Sequence, residues 1–248
     1  MAVATCYMCN GAATSDEHAP PRCIFPARKD TPNQTDYRRN LITVPSCDAH
    51  NNVKSHDDEY LLHVLAASYT SSNVGLTQFI TKSARAFAKT PTKASSLIRR
   101  SESVQLQRVG DSSWEDGLHV IVEAERLDLV LGNCARALYF HETGRKLLGP
   151  LEVITAFTMY NDPTAQTWVT SRLAVTKSFL ANHTAKGGNP DVFKYKFAEG
   201  EITVLFLMHF YSKSEVIVSL NKHVSEPVEA CTEVPPNLNS AVASSYKP

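Results

Sequence analysis

The sequence predicts an α+β protein, with a small metal-stabilised module at the N-terminus and a mixed helical and antiparallel-strand domain behind it. Three observations predict this. Two pairs, Cys6-x-x-Cys9 and Cys47-x-x-His50, flank a short apolar segment, and pairs at these spacings can close one tetrahedral zinc site. The middle of the chain carries apolar residues at helical spacing. Val192 to Phe197, Ile202 to Tyr211 and Val216 to Leu220 are then three apolar or alternating runs, with turns at Glu199-Gly200-Glu201 and Ser212-Lys213-Ser214, the pattern of a β-meander.

The chain has 248 residues, 43% of them hydrophobic, which is enough to bury a core. The expected division is a zinc module over residues 1–56, an α+β domain of recognition or scaffold role over 57–225, and a disordered tail over 226–248. Formal net charge is zero, so there is no global basic signature. Of six cysteines, three fall in the cluster, and Cys23, Cys134 and Cys231 are scattered without a disulfide framework. The N-terminus lacks the basic region and apolar run of a signal peptide. No stretch reaches the roughly 18 to 20 apolar residues that span a bilayer. A cytoplasmic location, which keeps thiolates reduced, and no membrane partner are the expectation.

Residues 1 to 54 are rich in Cys, Pro, Asn and charge. A module so small cannot hold a fold by apolar burial alone, so a metal supplies the missing stability. Leu41 to Val44 reads as a short strand ended by Pro45, and Cys47 to Lys54 as the start of a short helix. Pro20, Pro21, Pro26 and Pro32 make Ala19 to Arg39 an extended loop.

Ser55, three residues before Asp58, resembles a capping box. Tyr60, Leu61, Val64 and Leu65 follow at helical spacing. A second helix is expected over Val74 to Ala88, stopped by Pro91, and a short third from Lys93 to Arg100. Val104, Leu106 and the run Leu118 to Val122 suggest strands. Leu127 to His141 is helical with Gly144 as its stop. Leu151 to Phe157 is strand-like. Thr164 to Asn182 is an amphipathic helix ending near Gly187-Gly188-Asn189-Pro190.

The polar residues between the two ligand pairs suggest phosphodiester chemistry. Such hydrolysis needs a base to activate water and a cation to stabilise the leaving oxyanion. His18 can be the base, because imidazole titrates near neutrality. Asp16 or Glu17 could ligate a divalent cation or orient a water. Asn51 adjoins His50, and its carbonyl oxygen suits hard Mg2+. Asn40 could hydrogen-bond backbone or orient His18. The alternative for the cysteines is simple burial in a small core.

Glu17-His18-Ala19-Pro20-Pro21 followed by Asn40-Leu41 and Pro45-Ser46-Cys47-Asp48-Ala49-His50-Asn51 resembles the HNH endonuclease superfamily. More closely, Glu17 to Pro26, Leu41 to Cys47 and Asp57-Asp58-Glu59-Tyr60 look like a group of bacterial zinc-containing HNH proteins. The resemblance covers about a quarter of the chain. It implies a ββα-metal, treble-clef-like module with structural Zn2+ on Cys6, Cys9, Cys47 and His50. It also implies a metal-dependent endonuclease that hydrolyses DNA with catalytic Mg2+ or Mn2+. His18 would be the general base, Asn40 the middle residue, Asn51 the last, and Glu17 an acidic neighbour that, with Asn51, holds the cation. Phage defence is one setting for such an enzyme.

The third letter is Asn here rather than His, as it also is in the HNH domains of RNA-guided CRISPR nucleases. His50 stands where a fourth zinc Cys is usual. It is read as a zinc ligand because an open three-ligand structural site would be unusual. The alternative phasing makes His50 catalytic, with Cys23 the next candidate for zinc.

For DNA, Arg38 and Arg39 beside Asn40 either touch phosphate or are solvated loop charges. Lys54 either contacts phosphate or is a helix-surface lysine. Lys82, Arg85 and Lys89, with Lys93, Arg99, Arg100 and Arg108, form a basic stretch that would extend the contact, or else an ordinary solvated helix face. His56, His63, Trp114 and Trp168 default to structure, and Cys23 to a packed thiol. The sequence sets no oligomeric state, though a homodimer is compatible with it. The second functional reading is a non-catalytic, zinc-stabilised nucleic-acid- or protein-binding module.

Overall fold

A long helix and a five-stranded antiparallel sheet carry much of the buried apolar surface, and the N-terminal segment packs into the same core. The computed structural model describes residues 4–51, 55–68, 70–92, 101–107, 112–158, 160 and 162–222. The expected helix Lys93 to Arg100, Lys54, Arg108, Cys231 and the tail 226–248 lie outside the described residues.

The N-terminal segment folds around a two-stranded antiparallel ribbon, β1 (Ser15–His18) and β2 (Thr43–Ser46), with Glu17 opposite Val44 and His18 opposite Thr43. β2 thus begins two residues later than expected and contains Pro45. Proline is tolerated because this ribbon has open edges, and its carbonyl accepts from the Tyr7 N–H at 2.8 Å. The polar run Ser15–His18 has no strand signature of its own. Between the strands the Pro-rich loop makes three 3-10 turns, Arg22–Ile24, Arg28–Asp30 and Pro32–Gln34, and buries Ile24 and Phe25. A single helical turn, α1 (Asp48–Asn51), follows β2.

α2 (Ser55–Ala67) buries Tyr60, Leu61 and Leu65 of the expected stripe, with Leu62 buried as well and Val64 only partly so. The expected helix Val74 to Ala88 is present as a continuous helical stretch, α3 (Asn73–Gln78), a π-helical turn Phe79–Ser83, and α4 (Ala84–Lys89), with helical backbone across both junctions. β3 (Ser101–Gln107) and β4 (Trp114–Val120) form a separate hairpin. α5 (Ala124–Thr143) buries Leu127, Val130, Leu131, Cys134, Ala135 and Leu138 on one face. It ends at Gly144, whose φ of 67° is left-handed and whose N–H bonds to the Phe140 carbonyl at 2.8 Å, a favoured role for glycine.

The sheet contains β5 (Glu152–Thr155), β6 (Lys186–Asn189), β7 (Phe193–Glu199), β8 (Thr203–Phe210) and β9 (Ser214–Asn221), in the order β5-β9-β8-β7-β6. β6 occupies the Gly-rich stretch expected only to end a helix. One face presents Tyr195, Phe206, Met208 and Val218 to the main core. The other presents Leu207, Ile217 and Ile154 to α6 (Pro163–Phe179), which answers with Val169 and, just past its end, Leu180. Asp162 caps α6 by accepting from the Thr164 N–H at 2.9 Å. Among the described residues no helix is long and apolar enough to cross a membrane.

One continuous cluster of buried side chains joins Cys6, Tyr7, Ile24 and Val44 to Leu61, Leu131, Tyr195 and Phe210. Polar bonds reinforce it. The Ile24 carbonyl accepts from Tyr211 Oη at 2.7 Å and from Gln78 Nε2 at 2.9 Å, and Lys146 Nζ donates to the Cys9 carbonyl at 2.6 Å. The boundary expected near residue 56 is therefore not a boundary in packing.

Gly75 sits where α3 meets Tyr211. A methyl added there would fall 2.9 Å from the Tyr211 ring. Helix propensity alone favours Gly75→Ala by about 1 kcal/mol, but overpacking a tight site costs about 1–3 kcal/mol. Gly75→Ala is expected to lower stability in denaturant titration; a stabilised variant would show that the contact relaxes freely.

Candidate metal centre and the adjoining cavity

The two ligand pairs meet. Cys6 and Cys9 lie on a tight turn closed by a Cys6 N–H to Gly11 carbonyl bond of 2.9 Å. Within the turn the Met8 N–H donates to Cys6 Sγ and the Gly11 N–H to Cys9 Sγ, each at 3.4 Å. These bonds stabilise negative sulfur. Cys47 directly follows β2, and His50 lies on α1, where the N–H groups of His50 and Asn51 both bond to the Cys47 carbonyl at 3.0 Å.

The four ligand atoms all lie within 4.8 Å of one another. Cys9 Sγ is 3.8 Å from Cys47 Sγ, and His50 Nδ1 is 3.5 Å from Cys6 Sγ and 3.2 Å from Cys47 Sγ. A tetrahedral ion with bonds of about 2.3 Å to sulfur and about 2.0 Å to nitrogen needs edges of about 3.8 and about 3.5 Å. The Cys9–Cys47 and Cys6–His50 edges match and the Cys47–His50 edge is slightly shorter, so three cysteines and a histidine could hold a metal such as zinc. Burial opposes ionisation of Cys6, but bonds from His50 and from the backbone of Met8, Cys47 and Cys9 outweigh it and bring its pKa down to about 5.

His50 Nδ1 therefore lies with the three thiols, the phasing preferred from the sequence. Cys23 is elsewhere: its thiol donates to the Asp58 carbonyl at 3.2 Å, and burial pushes its pKa up to about 12 despite nearby Lys82. Its sulfur faces a backbone carbonyl and stands outside the four-residue cluster.

Beside β1 and α1 lies a cavity of about 230 Å³, lined by Asp16, Glu17, His18, Pro21, Arg22, Cys23, Asn51 and Asp58. Asp16, Glu17, His18 and Asn51, singled out in the sequence for catalysis, thus share one cavity. Glu17 is buried, and its Oε2 accepts from Tyr7 Oη at 3.3 Å and Ser46 Oγ at 3.5 Å. Asn51 Nδ2 donates to Ser15 Oγ at 2.7 Å, which fixes the amide plane. Burial, then the charge of Arg22, hold the His18 imidazole below its ordinary pKa, with Asp16 pulling the other way. The neutral, proton-accepting form is favoured as a result.

Asn40 is not among the cavity residues. It occupies a left-handed turn (φ 52°), a conformation that asparagine tolerates, and its backbone packs against Gly188 of β6. The reading of Asn40 as a partner that orients His18 finds no contact here. The expected phosphate contacts also divide. Arg38 Nε donates to the Phe25 carbonyl at 3.1 Å, Lys82 Nζ to the Cys23 carbonyl at 2.8 Å, and Arg85 pairs with Asp30 at 2.7 Å. Those three cations serve the Pro-rich loop. Arg39 and Lys89 are exposed.

Arg22 and Asp58 are cavity residues that sequence reasoning did not assign. Arg22 had a signal: it follows the His-Ala-Pro-Pro run directly and opens the first 3-10 turn. Asp58 sits in the first turn of α2 and enters the cavity only through the tertiary packing of that helix. No protein-family model, curated protein or solved structure matches the chain.

Protein purified without chelator is expected to carry one tightly held metal ion per chain. Cys9→Ser and Cys47→Ser should each lose it, and His18→Ala should keep it. Elemental analysis of the three variants decides; metal lost from His18→Ala would merge the two sites.

Proposed function

We propose that the chain is a metal-dependent HNH-type endonuclease that hydrolyses phosphodiester bonds of DNA, built on a structural zinc. One observation carries this reading: His18, Glu17 and Asn51 line a single cavity immediately beside a cluster able to hold the fold in place. His18 takes the proton of the attacking water. Arg22, the cation in the cavity, contacts the scissile phosphate. Asn51, with its amide nitrogen held by Ser15, offers its carbonyl oxygen to a divalent cation, and Glu17 contributes its carboxylate from below. When bound, Mg2+ or Mn2+ would supply positive charge to the leaving oxygen. The zinc ligands do no chemistry in this scheme.

The second reading, a zinc-stabilised binding module without catalysis, is favoured by Asn40, which stands outside the cavity. It also gains from Lys82 and Arg85, whose side chains are bound to the Cys23 carbonyl and to Asp30.

The test is nicking of supercoiled plasmid with Mg2+ or Mn2+. His18→Ala is expected to lose about 10²- to 10⁴-fold in rate with metal content and folding intact. Asn51→Ala should cleave only at raised cation concentration. Arg22→Gln should weaken DNA binding and lower the slope of log affinity against log salt by about one. Equal nicking by wild type and His18→Ala would expose a contaminant. Absence of nicking by wild type on several DNA substrates would select the binding module.

A further inference from the structure

A second cavity, of about 290 Å³, lies on the α6 face of the sheet, lined by Lys177, Ala185, Lys194, Lys196, Leu207 and His209. Register builds it. Lys194 on β7 pairs with His209 on β8, and His209 with Glu215 on β9, so the three stand in one row. The next row is Lys196, Leu207 and Ile217. Paired residues on neighbouring strands place their Cβ atoms about 4.5–5.5 Å apart, so the first row sets the Lys194 cation and the His209 imidazole side by side. α6 brings Lys177 to the same margin.

The charges do not balance. Glu215 is the acidic group at this margin; it binds Lys177 Nζ at 2.7 Å and His209 Nδ1 at 3.3 Å. Lys196 Nζ donates to the carbonyls of Leu180 and Ala181 at 2.8 and 3.1 Å, which hold it in place without cancelling its charge. Lys194 is half-buried and has no ion pair among the described residues. With the imidazole neutral, three ammonium groups face one carboxylate. Burial, then the opposing pull of Glu215, then the lysines set the His209 pKa, and the net direction is downward.

We propose that this cleft binds the phosphate of a small phosphomonoester. A dianion matches the surplus positive charge. Lysines are point-charge partners for phosphate, and half-buried ones are screened less than those in open solvent. Leu207 and Ala185 give the cleft an apolar wall for the organic part of the ligand, which inorganic phosphate would leave unused. The inference stands apart from the nuclease reading, since none of these residues lines the His18 cavity.

The experiment is an NMR titration of the full chain, following the His209 imidazole at constant ionic strength in chloride. The probes are inorganic phosphate, a nucleoside 5′-monophosphate, and a single-stranded oligonucleotide without terminal phosphate. Saturable movement of the His209 signals is expected with the monophosphate, at lower concentration than with inorganic phosphate. Lys194→Gln should weaken this about tenfold or more with an unchanged melting temperature, because Lys194 holds no internal bond among the described residues. Lys194→Arg should retain it. Absence of saturation with the monophosphate, or equal affinity in wild type and Lys194→Gln, would overturn the proposal. Inorganic phosphate binding as tightly as the monophosphate would reassign the cleft to free phosphate. Tighter response to the oligonucleotide would reassign it to a nucleic-acid backbone.

Discussion

Convergence of Cys6, Cys9, Cys47 and His50 on one point is the constraint around which the N-terminal segment is built. It joins stretches of chain some forty residues apart and so closes the loop that contains β1, the Pro-rich turns and β2. Closing such a loop costs a few kcal/mol of chain entropy, more than the short polar ribbon β1–β2 could offset. With the two pairs together, Pro45 presents its carbonyl to Tyr7, Glu17 is driven under the ribbon, and His18 and Asn51 come to one side of it. The arrangement of the cavity is thus a consequence of the ligand geometry, although no ligand atom lines it.

The same segment depends on the rest of the chain. The Ile24 carbonyl is held by Gln78 and by Tyr211, residues from a helix and from the end of a sheet strand. Tyr211 carries its side chain there from a left-handed backbone position, φ 46°, a conformation that a bulky residue adopts only when its surroundings demand it. Lys82 and Arg85, on the same helical stretch as Gln78, bind the loop at the Cys23 carbonyl and at Asp30. The Cys/His cluster at one end and a packed helix–sheet core at the other hold the Pro-rich loop between them. This is how a segment with little apolar content keeps Arg22 and His18 in a defined relation.

Much of this was legible in the sequence, and the rest was not, for definite reasons. The ligand set could be read because a Cys-x-x-Cys pair and a Cys-x-x-His pair flank one short strand, a combination with specific chemistry. α5 could be read because Leu127, Val130, Leu131, Cys134 and Leu138 repeat at helical spacing and Gly144 supplies the stop. β1 could not, because Ser-Asp-Glu-His becomes a strand only when β2 is beside it. β6 was hidden by Gly187 and Gly188, which argue against a strand until a neighbour imposes one. The π-helical turn at Phe79–Ser83 leaves no mark on apolar periodicity. Within the site, His18, Glu17 and Asn51 were found from local motif, whereas Asp58 reaches the cavity through the docking of α2. Lys82 and Arg85 looked like free surface charge because the carbonyl and carboxylate they bind are some fifty-five or more residues away in sequence.

The sheet has one further property, set by the lengths of its strands. Its interior strands β7, β8 and β9 run to 7, 8 and 8 residues, whereas its borders, β5 and β6, have only 4 each. β6 is also irregular in its pairing with β7 and contains two glycines. A long, flat border would offer a row of unpaired amides and carbonyls to any other extended chain. Short and irregular borders offer little for a neighbouring molecule to pair with. The most apolar strands of the protein are thereby kept in the middle of the sheet, and growth by edge-to-edge addition is discouraged at both of its margins.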